Sequence, residues 1–129
     1  MNNERYERGL AKLREVDGEL GEEVVAAIEE VAPGAGRLLL EFPFGDVYSR
    51  PGLGLKEREL VTIAAMAAMG TCTPQLRVHV NGALNVGWTR EEVVEAFVQL
   101  TVYAGFPAAL NALFLAKEVF AERDAAGKA

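Results

Sequence analysis

One cysteine, Cys72, and one histidine, His79, are the whole supply of thiol and imidazole in this 129-residue chain. A lone thiol excludes an internal disulfide and any multi-thiolate centre, and a zinc site would have to draw most of its ligands from carboxylates. No metal site is expected. Positive charge is also scarce: 13 lysines and arginines face 19 acidic residues, and the net charge of -6 repels phosphate backbones and anionic membrane surfaces. Neither nucleic acid nor a membrane is an expected partner. The longest apolar run, Leu60 to Met69, is broken only by Thr62 and is roughly half the ~20 residues that a membrane-spanning helix requires. The start, Met1-Asn2-Asn3-Glu4-Arg5, leads into charged residues without an apolar signal core, so a cytoplasmic location is expected. Strand-length alternation, tandem repeats and low-complexity linkers are all missing, which leaves helix as the organising pattern.

The residues present fit that pattern. With 50% hydrophobic and 25% charged residues the chain has a globular composition, and its length suits a single domain that is marginal as a lone monomer. Tyr6, Leu10, Leu13 and Val16 share one helical stripe that Gly18 stops, and a second helix is expected from Leu20 to Val31, closed by Pro33-Gly34. Ala35 to Tyr48 is rich in leucine and phenylalanine, but Pro43 and Gly45 make it a broken helix at best. Residues 54–70 begin charged and become apolar on all sides, as in a helix entering the middle of a bundle.

Thr73-Pro74 reads as a hydroxyl cap followed by a first-turn proline, starting a helix that runs to Gly87. Thr89-Arg90-Glu91-Glu92 is a capping box that starts the next one, and Gly105-Phe106-Pro107 separates it from a last helix reaching Arg123. The tail from Asp124 to Ala129 is expected to fray. The fold class is therefore all-α, with about six to seven helices in one domain spanning 1–129. Val94, Val98 and Val102 lie on a face other than the stripe of Phe97 and Leu100, so either other helices of the chain or, as its small size favours, a second copy is expected to cover them.

Three side chains are candidates for chemistry. Cys72 precedes a helix start, where unpaired amides and the helix dipole favour a thiolate; the plainer reading is a small buried hydrophobe. His79 projects from the apolar stripe of its helix, and a buried imidazole needs a partner, either a catalytic one or a backbone carbonyl. Cys72, Gln75 and His79 are spaced by three and four, which brings them near one another if helical geometry extends back over the cap. Glu59 stands where its helix turns from charged to apolar, and a desolvated carboxylate there suits proton transfer, although Lys56, Glu57, Arg58 and Glu59 could equally be a solvated first turn.

Four motifs then occur in order: Arg58-Glu59-Leu60-Val61 leading an alanine-rich helix, Gln75-Leu76-Arg77-Val78-His79, Ala83-Leu84-Asn85-Val86-Gly87 before Thr89-Arg90-Glu91-Glu92, and Tyr103-Ala104-Gly105-Phe106-Pro107-Ala108-Ala109. Over Leu55 to Glu122 the chain resembles the carboxymuconolactone decarboxylase and alkylhydroperoxidase D superfamily. The peroxidase branch uses C-x-x-C-x-x-x-H with an upstream glutamate. Here Cys72 and His79 match, Gln75 replaces the second cysteine, and Glu59 falls about one residue from the glutamate's place. Without a resolving thiol the two-cysteine cycle cannot run in its usual form.

The decarboxylase branch keeps the histidine without the cysteine pair, and this chain is more similar to it around Gln75 to His79 and Tyr103 to Pro107. The resemblance implies a cofactor-free enzyme on a small organic acid or lactone, assembled as a trimer or hexamer. It makes His79 the general acid/base with Glu59 as its partner, and Arg77, Arg58, Gln75 and Tyr103 candidates for holding the substrate. Two rivals stand beside it: a thiol-dependent peroxidase in which Cys72 attacks a peroxide and an external thiol resolves the sulfenic acid, and a non-catalytic oligomeric binding protein.

Overall fold

A computed structural model describes residues 3–129, and all regular structure among them is helical. The chain divides into two compact units, one ending at Leu55 and the other running Lys56–Ala129.

In the first unit α1 spans Glu4–Val31, and at Gly18 its backbone leaves helical geometry (φ 56, ψ -139). The expected stop is thus a kink between two helical arms. After a turn, α2 (Ala35–Leu39) passes into a π-helical segment, Leu40–Val47, which absorbs Pro43 instead of breaking there. Leu13, Val16, Leu40 and Phe44 form the buried apolar side chains of this unit. Gly9 lets two backbones touch: a Cβ there would sit 1.9 Å from the carbonyl oxygen of Leu40. Arg5 and Asp46 add an ion pair between the same two elements at 2.7 Å.

The second unit holds all but the first residue of α3 (Leu55–Met69), together with α4 (Thr73–Asn85), α5 (Arg90–Tyr103) and α6 (Phe106–Ala125). Ile63, Ala67, Leu76, Val80, Ala83, Val93, Phe97 and several residues of α6 make one buried cluster, so all four helices meet in one core. The capping box of α5 is present as expected, with Thr89 Oγ1 accepting from the Glu92 amide and the Glu92 carboxylate accepting from the Thr89 amide.

Three expectations need correction. The cap of α4 is Cys72, one residue earlier than expected, because Thr73 already has helical geometry and Pro74 sits within the first turn. That helix ends at Asn85 rather than at Gly87, since Gly87 adopts φ 111 and terminates it. The tail does not fray: Arg123 Nε donates to the Ala129 carbonyl at 2.7 Å, and the Lys128 amide bonds to Arg123 O at 2.8 Å.

Candidate functional site: a carboxylate–imidazole pair

Glu59 lies where α3 turns from charged to apolar, and none of its surface is exposed. A buried carboxylate is costly unless it meets a donor or a positive charge. The donor comes from α4: His79 Nδ1 lies 3.0 Å from Oε2 and 3.1 Å from Oε1 of Glu59. His79 borders the buried stripe of Leu76, Val80 and Ala83, and its side chain is 14% exposed. The solvated-first-turn alternative for Glu59 is thereby ruled out.

A carboxylate on Nδ1 does two things. It fixes the ring orientation, and it places the Nδ1 proton in the contact so that Nε2 is the nitrogen left to exchange one. Such a pair can pass a proton to or from a bound group.

The other expected site residues are spread more widely. Arg58 is half-buried next to Glu59, with its carbonyl accepting from the Thr62 hydroxyl at 2.8 Å. Arg77 is engaged elsewhere, since its guanidinium bonds to Glu118 and Glu122 of α6. Gln75 is exposed on the first turn of α4, and Tyr103 is 89% exposed at the end of α5. The backbone of Cys72 is not helical (φ -111, ψ 33), so the three-four spacing to Gln75 and His79 does not carry across the cap. Its thiol lies 3.9 Å from Thr71 Oγ1 and 4.0 Å from Met69 Sδ. It lines a small recess with Met66, Ala67, Leu76, Asn111 and Ala112, and neither Glu59 nor His79 lines that recess.

Two features of the neighbourhood were not legible in the motifs. Arg123 on α6 donates to Asn81 and Asn85 of α4, and the Trp88 indole donates to the Lys56 carbonyl of α3 at 2.6 Å. The lone tryptophan, set just after a helix-ending glycine, was the one available signal for the second.

An all-helical unit with a histidine–carboxylate pair on two packed helices defines the class. The carboxymuconolactone decarboxylase family model matches residues 33–118. The chain is 38% identical over 124 residues to a 4-carboxymuconolactone decarboxylase of Acinetobacter baylyi, covering 93% of this chain and 90% of the relative. It is 39% identical over 99 residues to an uncharacterised 15.0 kDa protein of Paracoccus denitrificans, covering 76% and 74%. A nitrosuccinic acid decarboxylase of Metarhizium robertsii is 28% identical over 121 residues, covering 92% and 82%. The chain belongs to the carboxymuconolactone decarboxylase family.

Proposed function

We propose that the protein is a lyase that decarboxylates a small organic acid or lactone, with His79 as general acid/base and Glu59 as its partner. The observation that carries this reading is the 3.0 Å contact between His79 Nδ1 and the fully buried Glu59 carboxylate. Two relatives of different origin, a 4-carboxymuconolactone and a nitrosuccinic acid decarboxylase, support the reaction class.

The chemistry asks little of the protein. When the bond between carbon and carboxylate breaks, carbon dioxide leaves and the electron pair passes into the substrate's own conjugated carbonyl. The resulting enolate takes one proton on carbon, which balances the reaction without a cofactor. His79 delivers that proton from Nε2 while Glu59 holds the ring, and preorganised donors at the carbonyl lower the barrier by stabilising its developing charge. Arg58, half-buried and adjacent to Glu59 in α3, is the cation we assign to the substrate's carboxylate. Gln75 and Tyr103 are reserved for the rim of the site, where a neighbouring copy would complete it.

That copy is part of the proposal. Val98, Val102, Tyr103, Phe106, Leu110 and Phe114 are exposed on α5 and α6, and a closed ring of three or six subunits would cover them. Among the described residues no helix is long and apolar enough to cross a membrane, and a cytoplasmic enzyme fits the chain.

The test is turnover of a carboxylated γ-lactone with neither metal nor reductant added. Carbon dioxide release is expected from the parent, and His79→Ala should lower it about 10²- to 10⁴-fold, the usual worth of a general acid. An inactive parent across carboxylated lactones and nitro-acids would overturn the reading in favour of a binding protein.

A further inference from the structure

We propose that Trp88 is a positioning residue for the Glu59–His79 pair: its indole bolts the open end of the α3–α4 hairpin and so sets the carboxylate against the imidazole. The proposal rests on the reading of that pair as the acid–base group of the reaction.

Residues 70–72 join α3 to α4, so the near ends of the two helices are tied covalently. Their far ends need another link. Beyond Asn85 the chain closes a two-bond helix stop, with the Gly87 amide donating to Leu84 O at 3.2 Å and the Trp88 amide to Ala83 O at 3.1 Å. Gly87 takes φ 111 to make it, a conformation that a residue with a Cβ resists. The capping box fixes Thr89 immediately afterwards. The backbone of Trp88 is therefore held from both sides.

The indole meets α3 at a telling place. Trp88 Nε1 donates to the Lys56 carbonyl at 2.6 Å, one helical turn before Glu59 and on the same face. The Lys56 ammonium folds back over the indole ring, 4.4 Å from its centroid. Lys56–Trp88 and Glu59–His79 thus tie neighbouring turns of one α3 face to α4, the first through the residue just past the helix stop and the second through the helix itself. If the outer tie opens, the first turn of α3 is free to shift, and the inner contact is the first to lengthen. Proton transfer is sensitive to displacements of that size.

The chain contains one tryptophan and one histidine, so each can be observed and replaced singly. Trp88→Phe keeps a ring beneath the Lys56 ammonium and removes the donor. The decisive readout is the NMR titration of the His79 ring in the parent, in Glu59→Gln and in Trp88→Phe, with melting temperature measured alongside. In Trp88→Phe the titration is expected to move toward that of Glu59→Gln, with kcat falling about tenfold and KM changing by less than about twofold.

A Trp88→Phe protein that melts earlier yet keeps the parent's titration and its pH profile of kcat overturns the proposal, because the indole then only stabilises the fold. Should Trp88→Phe not fold, replacing the tryptophan by its benzothiophene isostere, with sulfur for the N–H group, reads the same two outcomes. If Glu59→Gln leaves the titration in place there is no coupling to position, and the proposal falls. A protein inactive toward every acid tried would sink the functional reading alone, since the ring titration is measured without substrate.

Discussion

Arg123 brings both terminal nitrogens to 3.2 Å from the Oδ1 of Asn85, and one of them also donates to Asn81 Oδ1 at 3.0 Å. The residue is buried, 9% exposed, and its side-chain partners Asn81 and Asn85 are neutral amides. Burial, with repulsion from Arg90, pushes its pKa below the ordinary arginine value. Asn81 and Asn85 share one stripe of α4 with Arg77, which pairs with Glu118 and Glu122, so this polar seam presses the helix of His79 onto α6.

Arg123→Met should therefore destabilise the protein by about 2 kcal/mol, the scale for losing buried charge-assisted bonds and leaving amide oxygens unmet. Urea unfolding measures it. A midpoint equal to the parent's would mean that the two asparagines find other donors at no cost.

Gly9→Ala is expected to be worse tolerated than any surface change in the first unit. The clash at 1.9 Å is with the backbone carbonyl of Leu40, which cannot rotate away as a side-chain tip could. Overpacking of this kind costs about 3 kcal/mol or more, a large share of a small domain's stability. Hydrogen exchange should show lost protection in α1 and in Leu40–Val47; retained protection in both would contradict the close approach.

The pH dependence of stability should include Glu29, whose carboxylate accepts from the Gly34 amide at 3.0 Å and the Gly36 amide at 2.8 Å. The Gly34 bond is the main cause that holds its pKa below the usual value of 4.5. A depressed folded-state value gives stability that is present above the unfolded carboxyl range and lost as pH falls through the folded one. Glu29→Gln should then be less stable than the parent at pH 7, with the gap narrowing once pH drops below about 4. A gap that stays constant between pH 7 and pH 3 would show that the charge of Glu29 is irrelevant.

Cys72→Ser should leave decarboxylation within about twofold of the parent, since the thiol lies in a recess that neither Glu59 nor His79 lines. Peroxide consumption with an external thiol is the companion assay. Robust, Cys72-dependent peroxide turnover would favour the thiol route over the proton-transfer route.

Much of the fold was legible because local signals agreed. The capping box at Thr89 to Glu92 and the glycine stops at Gly70 and Gly105 act through adjacent atoms, so spacing alone reveals them. Thr73 reads as a cap because threonine is a good cap in general, while the backbone of Cys72 makes the actual exit. The π-helical passage through Pro43 was illegible, since contacts distant in sequence, the close approach at Gly9 and the Arg5–Asp46 pair among them, tie that segment to α1. For the site, Glu59 and His79 could be named because each stands at a break in hydrophobic periodicity. The ion pairs of Arg77 were not legible, because its two partners lie more than forty residues away on α6. The Lys56–Trp88 bond hides for a related reason: its acceptor is a backbone carbonyl, which no side-chain pattern records.

The central claim, that Glu59 and His79 work as one unit, is tested most directly by a double-mutant cycle on kcat/KM for a carboxylated lactone. Groups that act together lose activity non-additively. The expected result is that Glu59→Gln costs about 10²-fold in the parent and almost nothing once His79 is alanine, as for other residues that orient a catalytic histidine. The same 10²-fold loss in both backgrounds would show that Glu59 acts without His79, and the paired mechanism would be wrong.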